Sequence, residues 1–170
     1  MDSKLNPVEI VNPFTSLDGY NCFGCSPNNP LGLHMHFHTE GEYVLCDWQP
    51  EPNLQGWFNI LHGGIQATLM DEISGWLVLV KLNTAGVTSK MEVSYLKPVR
   101  IDQGTIRLRA RLKEMIKKIA LIEVQLFMNE GELCAEALIH YYTYPEHIAR
   151  ERMYYPGIES FFPTPAIDQA

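Results

Sequence analysis

The segment LHGGIQATLMDEISGW, residues 61–76, holds the residues best suited to chemistry. His62, Gly63 and Gly64 stand where an apolar helix begins, and Asp71 and Glu72 follow about two turns later. First-turn amides have no partner inside a helix, and the helix dipole favours negative charge there. Glycine lets a ligand oxygen reach that backbone without meeting a side chain. Such donors suit the oxyanion of an acyl-transfer intermediate. With Asp71 as zero and about 100° per residue, Gly64, Ala67, Thr68, Ser74, Gly75 and Val78 share its side. Asp71 is too far from the helix start to cap it, and an unpaired carboxylate is costly to bury. Its place on a stripe of small residues makes it a candidate nucleophile or general base. Glu72, a quarter-turn away, reads as a solvated or ion-paired flank.

A second group contains Cys22 and Cys25, which have ligand-like spacing, and His34, His36 and His38, which alternate along an expected strand. No metal is expected here. A lone Cys-x-x-Cys lacks its second pair, and His residues at i and i+2 stand on separate pleats. No thioredoxin-like strand-to-helix context surrounds the pair either, so a redox role is not expected. Cys46 and Cys134 bring the total to four, too few and too scattered for a disulfide framework. Free thiols in a reducing compartment are the simpler expectation.

These groups need elements to position them. The chain has 170 residues, 46% hydrophobic and 19% charged, as in one soluble globular domain. Its net charge of −7, from 13 basic and 20 acidic residues, argues against a nucleic-acid partner. MDSKLNPVEI lacks a secretory pattern, and Trp76 to Val80 is too short a greasy run to span a bilayer, so a cytoplasmic, non-membrane protein is expected. Residues 1–30 read as an irregular arm. Gly32 to Thr39 and Glu42 to Gln49 read as a strand pair turning near Gly41, and Gly63 to Leu82 as the long helix.

Four strands follow. In VTSKMEVSY, Val87, Ser89, Met91, Val93 and Tyr95 share one face, and Thr88, Lys90, Glu92 and Ser94 the other. In TIRLRARLK, Ile106, Leu108, Ala110 and Leu112 point in, and Arg107, Arg109, Arg111 and Lys113 point out. Ile119 to Met128 and Leu133 to Thr143 form a hairpin across Asn129, Glu130 and Gly131. The fold class is therefore α+β, an antiparallel sheet covering one long helix. Residues 145–170 read as a short helix, Glu146 to Met153, and a tail whose Tyr154, Tyr155, Phe161 and Phe162 should dock on something.

The 61–76 segment resembles the hotdog-fold acyl-CoA thioesterases, particularly the PaaI-type (phenylacetate-pathway) branch. Their helix begins with His-Gly-Gly and reaches an acid nine positions after the His, as His62 and Asp71 do. MEVSYLKPVR looks like the family's next strand, and CFGCSPNNPLGL resembles the Cys-x-x-Cys, Asn-Pro-x-Gly-Leu stretch of some members. The resemblance covers roughly Cys22 to Tyr144 and implies a hotdog domain over 31–144. Where many members have Asn six positions before the His, this chain has Gly56.

By that resemblance the protein hydrolyses acyl-CoA to a free acid and coenzyme A, without a cofactor, as a homodimer or homotetramer with interface active sites. Gly63 would supply the oxyanion amide, Asp71 would attack the carbonyl or activate water, and His62 would shape the helix start. Gly64, Thr68 and Glu72 would line the substrate site. Lys97 and Arg100 resemble positions near the nucleotide site, where coenzyme A phosphates need local positive charge. The row Arg107, Arg109, Arg111 reads instead as a solvated outer face paired with acids. Trp57, Phe58, Trp76 and the aromatic tail could line a pocket for an aryl or medium fatty chain. The rival is a non-catalytic hotdog module that binds acyl-CoA or a partner protein.

Overall fold

The structure is a computed structural model and describes residues 7–128 and 131–162. Its strands are β1 (Val8–Ile10), β2 (Phe37–Glu40), β3 (Tyr43–Trp48), β4 (Gln55–Trp57), β5 (Ile60–Leu61), β6 (Gly86–Tyr95), β7 (Ile106–Ile116), β8 (Ile119–Met128) and β9 (Glu132–Thr143). The helices are α1 (Gly63–Lys81) and α2 (Glu146–Met153). Seven strands form one antiparallel sheet in the order β1-β2-β3-β7-β8-β9-β6, and β4 and β5 form a separate hairpin. The sheet wraps α1, which packs on β3 and on β6 to β9. This is the hotdog architecture.

Simple patterning explains most of it. Ile106, Leu108 and Ala110 of β7 are buried while Arg107 and Arg111 are exposed, so period-two alternation sets the inner face. On α1, Leu69, Met70, Ile73, Trp76, Leu77, Val78 and Val80 are buried. Each large apolar side chain contributes about 1.5–3 kcal/mol when buried. A helical glycine costs about 1 kcal/mol, so this face easily offsets Gly64 and Gly75. The small-residue stripe is different. Gly64 is exposed, and Ala67, Thr68, Asp71 and Gly75 are only half-buried. The sheet covers α1 on its greasy side and leaves this stripe partly open.

Three expectations are corrected. The N-terminal arm is not wholly irregular, because Val8–Ile10 pairs with Phe37–Thr39 and buries Ile10. The next strand begins at Phe37 rather than Gly32, since His34 sits at φ +50° in irregular backbone and its ring bonds the Asn29 carbonyl at 2.7 Å. His34, His36 and His38 therefore do not share a strand face. In β6, the register slips between Thr88 and Lys90 opposite Tyr141 and His140, which makes Ser89 the extra residue of a bulge. The bulge reverses the alternation and turns Thr88 toward α1. Gly86 opens this strand because any side chain there would collide with the Tyr142 carbonyl.

Of the four C-terminal aromatics, Tyr155, Phe161 and Phe162 pack on the core, whereas Tyr154 stays 67% exposed. Phe161 is fully buried against Trp76, Phe14 and Tyr155, and the Tyr155 hydroxyl donates to the Leu79 carbonyl at 3.2 Å. The hairpin tip expected at Asn129 and Glu130 lies outside the described residues, and Gly131 beside it has φ +98°.

Candidate active site

The start of α1 is built by backbone demands. His62 is the N-cap, and its Nδ1 accepts from the Gly64 N–H at 2.9 Å. The His62 N–H donates to the Leu54 carbonyl, and the Tyr95 hydroxyl donates to the Gly63 carbonyl at 2.8 Å. That leaves the Gly63 N–H, at the first helical position, with no partner among the described residues. It is the free donor of the helix start. Gly56 packs directly on His62, where a side chain would run into the His62 backbone. The position that often carries Asn is thus closed to a side chain in this chain. Asn59 sits at φ +58° in a turn, where its Oδ1 accepts from the Asp102 N–H at 3.3 Å.

Asp71 projects from the open stripe, half-buried, and its Oδ1 accepts from Thr88 Oγ1 at 2.5 Å. The expected unpaired carboxylate is thus a singly held one. Sequence reasoning missed Thr88 because strict alternation placed it on the far face, and only the bulge reverses that. The adjacent Tyr141 hydroxyl is pushed above its ordinary value by burial first and by the Asp71 charge second.

Glu72 is not a solvated flank. It is half-buried, and its Oε1 accepts from Trp76 Nε1 at 3.1 Å and from Cys22 Sγ at 3.4 Å. Burial, and then the neighbouring Cys22, push its carboxyl up to about 7. A carboxyl whose folded pKa is raised favours the fold while protonated and loses that advantage as pH rises. The loss runs from the ordinary 4.5 to about 7. The expected result for Glu72→Gln under reducing conditions is a melting temperature close to wild type at pH 4.5 and above it beyond pH 7. A difference that stays constant in thermal unfolding across that window would contradict the burial of Glu72.

The comparisons with known proteins fall on this segment. A family model described as "Thioesterase superfamily" matches residues 58–135, which include His62, Gly63, Asp71 and Thr88. Residues 58–135 are thus similar to the thioesterase superfamily. Acyl-coenzyme A thioesterase 13 of Mus musculus is 29% identical over 97 residues, 56% of this chain and 69% of the relative. A solved protein of Streptococcus mutans bound to acetyl CoA superposes with a TM-score of 0.61 at 20% identity, covering 77% of this chain and 98% of that one. A hypothetical thioesterase of Streptococcus pneumoniae with coenzyme A gives 0.58 at 22%, covering 62% and 84%.

Around the matched segment, the other expected site residues separate into two groups. Thr68 faces along the stripe and donates its hydroxyl back to the Gly64 carbonyl at 2.9 Å. Arg100 bridges to Ile60, just before the N-cap, so it lies at the helix-start end. Lys97 and Arg100 are exposed and pair with Glu132 at 2.7 Å and Asp102 at 3.4 Å. Arg107 and Arg111 pair with Asp47 and Glu123 on the outer sheet face, while Arg109 bonds Gln125 and stacks near Tyr43 and Phe127. Trp57 and Phe58 stand out on the β4–β5 hairpin, 79% and 89% exposed, away from the cavity wall beside Asp71. Trp76 is part of that wall. A cavity of about 290 Å³ runs beside Asp71 and Glu72, walled by Phe14, Leu17, Tyr20, Trp76, Leu79, Tyr141, Met153 and Tyr154. Much of that wall comes from segments before residue 58 and after residue 135, outside the family match.

Among the described residues, no helix is long and apolar enough to cross a membrane.

Proposed function

We propose that this chain is an acyl-CoA thioesterase whose active site is completed by a second copy, with the Gly63 amide and the Asp71 carboxylate acting from different subunits. The observation that carries this reading is a separation. Gly63 and Asp71 are eight residues apart on one helix, about 12 Å along its axis. A single carbonyl group cannot lie within about 3 Å of both. Two antiparallel copies of the half-open stripe bring one helix start to the other helix's carboxylate. The edge strand β6, ten residues long with Val87 and Tyr95 exposed, offers its unpaired backbone to the same purpose.

The chemistry follows from the groups present. The thioester oxygen takes the Gly63 N–H at the positive end of α1, where the tetrahedral oxyanion is stabilised. Thr88 holds one Asp71 oxygen and leaves the other free. That oxygen either attacks the carbonyl carbon, expelling the coenzyme A thiolate and leaving an anhydride for water to open, or takes the proton of an attacking water. Both routes end in free acid and coenzyme A. A single turnover in heavy-oxygen water separates them, since only the first places label in Asp71. No cofactor or metal takes part in either route. His62 holds the helix start, and Gly64 and Thr68 keep the stripe narrow. Lys97 and Arg100 meet the coenzyme A phosphates, exchanging exposed carboxylate partners that solvent and salt already screen. The cavity beside Asp71 takes an aryl or medium acyl chain. The mouse relative's name and the coenzyme A and acetyl CoA bound by the streptococcal proteins support the reading, and a cytoplasmic location, where acyl-CoA is found, is part of the proposal. PaaI-type placement rests on the His-Gly-Gly to Asp spacing.

A thiol-release screen over acyl-CoAs of increasing chain tests it, with medium-chain or aryl thioesters expected to turn over fastest. No release from any of them would leave a binding module. Light scattering at micromolar concentration is expected to give the mass of two or four chains, and a monomer would remove the interface site.

A further inference from the structure

We propose that Cys22 and Cys25 form a redox-active dithiol that small disulfides oxidise, closing to a disulfide in the wall of the cavity beside Asp71. This inference is independent of the thioesterase reading. The two Sγ atoms lie 3.2 Å apart, so closure to the bonded distance of about 2.05 Å asks for little more than 1 Å of movement. Hydrogen bonds converge on them in one direction. Asn12 Nδ2 donates to the Tyr20 hydroxyl at 3.2 Å, which leaves that hydroxyl to donate to Cys25 Sγ at 2.9 Å. Cys25 donates to Cys22, and Cys22 meets Glu72 Oε1 at 3.4 Å. Negative charge therefore settles at the Cys22–Glu72 end. The Cys22 thiol is pulled down to about 5, chiefly by the hydrogen bond from Cys25, while Cys25 is pushed up by that bond and by burial.

Placement agrees with charge. Both cysteines line the cavity, Cys22 half-buried and Cys25 buried, so Cys22 is the more accessible thiol. The glycine between them has a structural reason, since a side chain at Gly24 would collide with the Glu72 carboxyl. The alternative occupant of three such donors is a metal ion, as Cys22, Cys25 and Glu72 offer ligand atoms within 4.8 Å of one another. Two thiolates on a tetrahedral zinc stand about 3.8 Å apart. The observed contact is shorter than that and fits a hydrogen-bonded thiol pair instead.

The step balances as thiol–disulfide exchange. The Cys22 thiolate attacks one sulfur of a small disulfide and releases one thiolate. Cys25 then loses its proton to Glu72, attacks the Cys22 sulfur and expels the second. One small disulfide is reduced to two thiols, and the cysteine pair is oxidised by two electrons.

The test uses the full reduced chain with oxidised glutathione, followed by alkylation and non-reducing mass spectrometry. Wild type is expected to lose two hydrogens, with Cys22 joined to Cys25 and with Cys46 and Cys134 still alkylated. Cys25→Ser should stop at a glutathione adduct on Cys22, and Cys22→Ser should leave Cys25 unmodified. Glu72→Gln should slow closure by about 10². The wild-type measurement stands alone if a cysteine variant does not fold. Both thiols staying free would overturn the proposal, as would adducts spread equally over all four cysteines. One zinc per chain by elemental analysis, shielding both thiols, would replace the dithiol with a metal site.

Discussion

Asp71→Asn should lower thiol release from acyl-CoA by about 10²–10⁴, the range for loss of a positioned base. The substitution keeps volume and still lets Oδ1 accept from Thr88 Oγ1, so the fold should hold. What it removes is the charge that attacks carbon or takes the proton of water. Removing that charge from a half-buried stripe should leave the melting temperature level or raise it. Substrate affinity should change little, and the variant should retain intact acyl-CoA through size exclusion. Glu72→Gln should cost much less, because Glu72 points to Cys22 and Trp76. Equal losses in the two variants would move the chemistry off Asp71.

Gly63→Pro is the second large effect, expected to lower kcat by about 10²–10³, as for the loss of one oxyanion donor. Proline suits this position unusually well. The first helical residue has no intrahelical N–H bond to lose. His62, at φ −56° and ψ 132°, already has the extended backbone that a residue before proline requires. A Cβ at Gly63 reaches only ordinary contact with Tyr95, at 3.5 Å. The substitution therefore deletes one hydrogen and little else. Unchanged turnover with unchanged unfolding would show that the amide does not meet the substrate oxygen.

How far the sequence reaches can be seen residue by residue. The Arg107, Arg109, Arg111 alternation reads directly as β7, because a half-buried strand carries its faces in period two. The start of α1 is legible as well, since His62 and the two glycines form a local cap with no distant partner. The helical wheel gives Asp71 its phase but says nothing about what covers each side. Hence Glu72 reads as a solvated or ion-paired flank, although a turn some fifty residues earlier closes over it. Thr88 was hidden by a bulge, which adds one residue without a distinctive composition. β1 was missed because three residues form a strand only when a sheet edge is there to receive them. Local signals thus identified the chemical groups, and long-range contacts decided how each is held.

The central claim is that one thioester meets Gly63 of one copy and Asp71 of another. Co-expressing Gly63→Pro and Asp71→Asn chains under different tags, and purifying the mixed dimer, tests this directly. Each parent homodimer lacks one essential group at both sites. In the mixed dimer, one site recovers both groups and the other loses both, so activity should return to about half of wild type per dimer. If both groups came from the same chain, the mixed dimer would contain no intact site. A mixed dimer, verified by native mass spectrometry, that is no more active than its parents would contradict the account.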